Sequence, residues 1–403
     1  MKLRNRISGV LAFVALLIGA LAALNLSIPV QPVSAGSAHA NQPHLGVDVS
    51  VTLGEPVGTS VIASGLNNPR GLALGPDGAL YVAEAGSGGA GPCAEGPEGP
   101  RCFGTTGSVT RIDLHTGTAT HVATGIPSLA TADGSFASGI HDISFLGLGK
   151  GSLTIGFGGN PNNRISDFGP AGASFARLGR MKGFGGWKLQ QDLGDYEAAN
   201  NPTGDEVDSN PYGILSLAGK QVVADAGANA LNQVNEKGKI ETLATFPDRL
   251  VDAPPFLELP PGTQIPMDTV PTSIALGPDG YYYVGQLTGF PFPVAGANIY
   301  RVSPRGGTPT IHAEGFTAII DVAFGPDGSL YVLEIAKNGL LDAFIFNDWT
   351  GALIRVAPDG TRTEIAAGSL FAPGGVALGP DGALYVTNNS IFSGTGEVLR
   401  VDP

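Results

Sequence analysis

The side chains of this sequence that could do chemistry are mostly oxygen donors, and they lie far apart in the chain. His141 stands next to Asp142. An imidazole beside a carboxylate can serve as a general base, and the competing reading is a histidine held by structural hydrogen bonds. Asp142, Asn210 and Asp321 lie near the starts of separate repeats. They offer the hard oxygen set that suits a divalent cation, calcium above all. The competing reading is that such residues cap strand ends and satisfy backbone donors. The stretch Asn200-Asn-Pro-Thr-Gly-Asp-Glu-Val-Asp-Ser-Asn-Pro-Tyr212 is also rich in oxygen. It lacks the spacing and the closing Glu of an EF-hand, so it reads as a turn held by Asx hydrogen bonds. No Gly-x-Ser-x-Gly elbow, His-Glu-x-x-His, phosphate-binding glycine loop or dinucleotide fingerprint occurs.

What positions these residues is a repeat. Gly71 to Val82, Ser273 to Val284, Asp321 to Val332 and Gly375 to Val386 carry nearly the same text, each with Gly-Pro-Asp-Gly between two apolar runs. Pro fixes one φ and the second Gly accepts a positive one, so each unit reverses direction as a hairpin. Ile140 to Ile155 and Tyr212 to Ala224 are degenerate copies, giving six hairpins. A second hairpin follows, as in Val109 to Thr124, Ile299 to Ala313 and Leu353 to Ala367. Strands in the order A, B, C, D, repeated six times, predict an all-β six-bladed propeller of four-stranded antiparallel blades. After the sixth A–B hairpin only a C strand remains, Gly396 to Val401. The matching D strand is Thr59 to Ser64, so the N-terminal strand should join the last blade and leave no open edge.

In such a ring the B–C and D–A connections share one face. The insertions Ala85–Thr106, Phe157–Phe175, Asp192–Pro211, Asp248–Pro271, Gln286–Asn298 and Glu334–Gly351 all fall in that class. Loops elaborated on one side mark a binding face. The sequence therefore places a ligand face around Arg70, Glu84, Asn160, Asn210, Tyr212, Asp225, Phe290, Glu334, Trp349 and Asn388, with Phe292, Phe344 and Phe346 as further aromatics.

Lys2, Arg4 and Arg6 precede an apolar run from about Val10 to Leu24, and small residues follow at Ala38-His39-Ala40. That layout predicts an export signal over 1–40 and a single propeller domain over 41–403. The apolar run is too short to span a bilayer. The formal charge is −13, and the first forty residues contribute three basic and no acidic side chains, so their removal leaves −16. A balance this acidic excludes nucleic acid and anionic membrane as partners. The expected partner is a small molecule or a protein on the loop face of a secreted or periplasmic monomer. Cys93 and Cys102 are the two cysteines of the chain, and in an exported protein they are expected to pair as a local staple.

The repeat text resembles NHL-type and strictosidine-synthase-like or gluconolactonase-like propellers. Leu66-Asn-Asn-Pro-Arg-Gly71, Asp192-Leu-Gly-Asp-Tyr-Glu197 with Asn200-Asn-Pro202, and Asp208-Ser-Asn-Pro-Tyr-Gly213 resemble the ScyD/ScyE family of secreted proteins associated with scytonemin gene clusters. That resemblance implies export and a propeller but no defined activity. The gluconolactonase likeness implies an axial divalent metal held by Glu, Asn and Asp, with Asn210 and Asp321 at suitable blade entrances. The first blade has Pro69-Arg70-Gly71 where that pattern has Glu-Gly-Pro. The functional expectation is a ligand- or protein-binding propeller. A metal-dependent hydrolase or lactonase is the alternative, and a quinoprotein-type oxidoreductase using Arg70 a more distant one.

Overall fold

The computed structural model describes residues 51–54, 58–148, 150–182 and 186–402. The segment expected to be an export signal lies outside them. Six antiparallel four-stranded blades form a six-bladed propeller. Their innermost A strands are Pro69–Leu74, Ile140–Ser144, Pro211–Leu217, Pro271–Leu276, Ile319–Phe324 and Gly375–Leu378. Each pairs with its B strand across a tight turn. Ring closure follows the sequence reading. Thr59–Leu66 runs antiparallel to Gly396–Val401, with Thr59 opposite Val401, and supplies the outer strand of blade six. One addition was not anticipated: Thr52–Leu53 lies parallel on the outer strand of blade five.

B strands are sandwiched between neighbouring blades, which is why Leu80–Glu84, Leu330–Glu334 and Leu384–Asn388 are buried at every position. The core is correspondingly a set of inter-blade layers. Leu72 and Val82 of blade one pack with Tyr385 and Val398 of blade six. Tyr283 and Ile299 of blade four pack with Val322 and Val332 of blade five. Each such side chain contributes roughly 1.5–3 kcal/mol when fully buried.

The Gly-Pro-Asp-Gly turns share a second device. Asp279 accepts the Tyr281 amide at 3.1 Å, the Tyr283 hydroxyl at 3.1 Å and Arg301 Nε at 2.8 Å. Asp77 and Asp381 repeat this with Tyr81 and Arg111, and with Tyr385 and Arg400. Asp327 pairs with Arg355 Nη2 at 2.7 Å. Each bracket ties turn to C strand on the face opposite the long loops.

The long connections carry local structure of their own. The helices Arg164–Phe168, Leu193–Asn200 and Leu340–Phe346 interrupt them, and Arg249–Asp252 pairs with Gln264–Met267 as a separate ribbon. Cys93 and Cys102 form a disulfide that closes the blade-one insertion.

Candidate functional site

On the axis, equivalent positions of the six A strands hold Gly71, Asp142, Gly213, Ser273, Asp321 and Gly375. The strands crowd here. A methyl group on Gly71 would stand 2.1 Å from Asp142 Oδ1, and one on Gly213 would stand 2.9 Å from Ser273 Cα. Both carboxylates serve as clamps between blades. Asp142 accepts its neighbour Ile143 N at 2.7 Å and Ile214 N of blade three at 2.9 Å. Asp321 accepts Val322 N and, from blade six, Val376 N, each at 2.8 Å. Blades two and five face each other across the ring. Burial, and then the Asp321 carboxylate, push Asp142 far above the usual carboxylate range, and burial raises Asp321 to about 7.

His141 is 3 % exposed, and its Nδ1 lies 3.3 Å from Pro211 O rather than against Asp142. Neighbouring residues of a strand point to opposite sides, so the two do not form a dyad. Burial, with Arg70 nearby, lowers the imidazole to about 3 and keeps it neutral. Its ring stacks on Tyr212 with centroids 4.4 Å apart. Arg70 is buried and donates to Ala137 O at 2.8 Å, bracing blade one against the entrance of blade two.

Most residues at the B-strand ends are internal. Glu84, Asp225, Glu334 and Asn388 are buried and accept the amides of Asn67, Asn210, Thr317 and Phe371 at 2.6–2.8 Å. Each thereby pins the D–A loop of its own blade. Asn160 caps a short 3-10 turn by accepting from Asn162 N. Trp349, 3 % exposed, packs on Phe344 and Phe136. Phe346 is exposed. The sequence reading put Glu84, Asp225, Glu334, Asn388 and Trp349 at a ligand; the structure gives them backbone and packing tasks instead.

Asn210 and Phe290 are placed differently. They line an open cavity of about 420 Å³ on the loop face, together with Gly158, Thr203, Asp205, Glu206, Asp208, Ala226, Gly227, Asn229, Asp248, Pro266, Asp268 and Val270. All of these come from B–C or D–A connections of blades two to four. Five are carboxylates, and none is Lys, Arg or His. Phe290 supplies an aromatic wall and packs edge-on against Phe256 and Phe292. Arg101 anchors the disulfide-closed loop to Phe157 O and Gly158 O at the cavity edge, each at 3.2 Å. Asp205, Glu206, Asp208 and Asp268 were not singled out individually by sequence reasoning. Their signal was the oxygen-rich run Asn200 to Tyr212 and the insertion Asp248 to Pro271.

Glu197 stands on the helix Leu193–Asn200, which precedes the cavity-lining segment in the chain. Asp192 caps that helix by accepting Asp195 N at 2.8 Å. Arg164 holds it through Asp192 at 3.1 Å and Asp195 at 2.7 Å. Glu197 is 1 % exposed, and neither of its carboxylate oxygens has a hydrogen-bond partner. Burial, then Asp225 and Asp208, raise it to about 7.

The axial residues do not suit a metal. The oxygens of Asp142 and Asp321 already receive four backbone amides, and Asn210 Oδ1 receives Phe157 N at 3.0 Å. Among the described residues no three His, Cys, Asp or Glu side chains stand in ligating position. Also among them, no helix is long and apolar enough to cross a membrane.

No family model matches the chain, and no curated protein matches it. Solved structures do. Virginiamycin B lyase from Staphylococcus aureus is 14% identical, with a TM-score of 0.45 over 86% of this chain and 99% of that one. Regucalcin, a calcium-binding protein from Agrobacterium tumefaciens, is 15% identical, with a TM-score of 0.47 over 88% and 97%. A glucose dehydrogenase is 14% identical, with a TM-score of 0.47 over 86% and 99%.

Proposed function

We propose that this chain is an exported ligand-binding propeller whose site is the loop-face cavity, and that its ligand is a small organic cation. One observation carries the reading: a cavity of about 420 Å³ with five carboxylates, one aromatic wall and no basic side chain. That volume is within the usual range of small-molecule sites. A positive ligand would gain from the field of the carboxylates, and a ring such as Phe290 adds cation–π attraction of roughly 0.5–2 kcal/mol. Asn210 and Asn229 contribute polar edges that can orient it. The disulfide between Cys93 and Cys102 supports an oxidising compartment. The alternative, an axial metal-dependent hydrolase, is not favoured, because the oxygens it would need are already bonded to backbone amides.

Benzyltrimethylammonium is a suitable probe, with phenylacetate as its anionic counterpart. Calorimetric titration should detect the cation and not the anion, and the affinity should fall as salt is raised. Glu206→Gln with Asp268→Asn should weaken binding about tenfold or more. Equal binding of cation and anion, or no binding of the cation at low salt, would contradict the reading.

A further inference from the structure

In blades one, four, five and six, a C-strand arginine stands opposite a B-strand tyrosine: Arg111 with Tyr81, Arg301 with Tyr283, Arg355 with Tyr331 and Arg400 with Tyr385. Each arginine pairs with the aspartate of its own Gly-Pro-Asp-Gly turn. Blade two keeps the arginine and lacks both partners. Arg180 stands opposite Ser152, which pairs with Ser144 as Tyr81 pairs with Ala73. Along this equally long turn, the place of Asp77 is taken by Leu148, which is 91% exposed. Among the described residues the Arg180 guanidinium has neither a hydrogen bond nor an ion pair.

The space beside it is open as well. Tyr81 packs on Phe145 of blade two and Tyr283 on Phe324 of blade five, with ring centroids 4.8 and 4.9 Å apart. Between blades two and three the same two places hold Ser152 and Ser216. Two hydroxymethyl groups where other gaps have two rings leave a cavity of about 370 Å³ at the turn face. Arg180, Lys150, Gln190, Gln221, Asn235 and Glu236 line it, with Leu146 and Leu217 as its large apolar residues. Lys220 reaches its edge, but its ammonium is bonded to Gln233 Oε1 at 2.9 Å and lies over the Tyr282 ring. Ser152 is 2% exposed, and its hydroxyl has no partner among the described residues. Six of the seven lysines beyond residue 40 fall within 150–239, at the turn ends of blades two and three, so this part of an acidic chain is positive. Glu236 is the one carboxylate in the lining.

We infer that this cleft binds a hydroxylated organic carboxylate of the sugar-acid class, with Arg180 taking the ligand carboxylate as its counterparts take the turn aspartates. A guanidinium fork matches a carboxylate in geometry as well as charge. In four blades an internal carboxylate fills that role; in blade two the role is open to a ligand. Lys150 adds positive charge at the mouth. The Ser152 hydroxyl and the amides of Gln190, Gln221 and Asn235 can both donate and accept, which suits a body that carries hydroxyl groups. The lining contains no aromatic ring to stack on, and a bare aromatic acid would leave those polar groups unpaired. The cleft lies on the face opposite the carboxylate cavity and takes a ligand of opposite charge, so neither reading rests on the other.

The test is calorimetric titration of the full chain with glucuronate, set against glucose, benzoate and inorganic phosphate. Glucuronate should bind, and its affinity should fall as salt is raised. The other three lack the carboxylate, the hydroxyls or both, and each should bind about tenfold more weakly or worse. Arg180→Gln should weaken glucuronate about tenfold or more. Ser152→Tyr returns to the gap the side chain that four other blades hold there; it should abolish binding and leave Tm unchanged or higher. Absence of glucuronate binding overturns the inference, as does equal binding of glucose, benzoate or phosphate, or an unchanged affinity in either variant. If Ser152→Tyr does not fold, Arg180→Gln decides alone, since that side chain braces no described residue. Benzyltrimethylammonium should bind Arg180→Gln as it binds wild type; parallel loss of both ligands would give Arg180 a structural role and overturn the inference.

Discussion

The two faces of this propeller use the same side chain under opposite physics. On the turn face, Asp77, Asp279, Asp327 and Asp381 sit in water beside Arg111, Arg301, Arg355 and Arg400. Hydrogen bonds and the guanidinium groups hold these carboxyls below their ordinary range, with Asp327 at about 2. Along the axis and toward the loop face, Asp142, Asp321, Asp225, Glu334 and Glu197 are enclosed, and burial drives every one of them upward. The first group decorates a regular scaffold. The second joins blades and pins loops on the side that carries the carboxylate-lined cavity, and that contrast is what sets the two halves of the molecule apart.

The contrast is most sharply tested by deletion. Asp142→Ala or Asp321→Ala leaves two enclosed amides unsatisfied between blades, with an expected loss of roughly 2–5 kcal/mol in denaturant unfolding. Arg355→Ala on the turn face breaks an exposed pair, worth about 0.2–1 kcal/mol. Comparable losses at the two places would dissolve the distinction. Next in size is Gly71→Ala, whose methyl meets Asp142 Oδ1 and a backbone Cα; overpacking of this kind costs about 1–3 kcal/mol. A neutral result would mean that the axial layer is looser than described.

A pH series gives a smaller but signed effect. A carboxyl raised in the folded state keeps its proton longer than the unfolded chain does, so stability is greater below the unfolded pKa and declines as pH rises through the folded one. For Asp225 at about 6, Asp321 at about 7 and Glu334 at about 8, the decline should run from about pH 4 to 8. Asp327 acts in the other sense, and its contribution disappears as pH falls from about 4 toward 2. The melting temperature of wild type should therefore be higher at pH 5 than at pH 8, and Glu334→Gln should narrow the difference. A profile that rises from pH 5 to 8 would reverse the assignment. The smallest expected effect is the salt response of the turn face: Arg355→Ala should cost less still in 1 M salt, where an exposed pair is screened.

How much of this could be read from the chain varies by element. The hairpin text, the Thr59 strand and the cysteine pair were legible because each is a local pattern with one geometric outcome. The Asp–Tyr–Arg brackets were legible in principle, since the turn Asp, the Tyr four residues later and the C-strand Arg recur in step. His141 and Asp142 could be read either as a base with its carboxylate or as structural residues, and strand alternation, which sends adjacent side chains to opposite sides, was the signal that favours the second. Glu84, Glu334 and Asn388 suggested a ligand because they recur at one face. The same recurrence is better explained by a repeated backbone need, an amide 17 residues earlier in each blade. The two-residue strand Thr52–Leu53 has no periodicity to detect. The carboxylate cavity depends on five separate connections meeting, which no local pattern encodes.

Hydrogen exchange of the chain with and without benzyltrimethylammonium tests the central claim most directly. Protection is predicted in 203–210, 226–229 and 266–270, with the four Gly-Pro-Asp-Gly turns unchanged. Protection confined to the turns, or none at saturating probe, would contradict it.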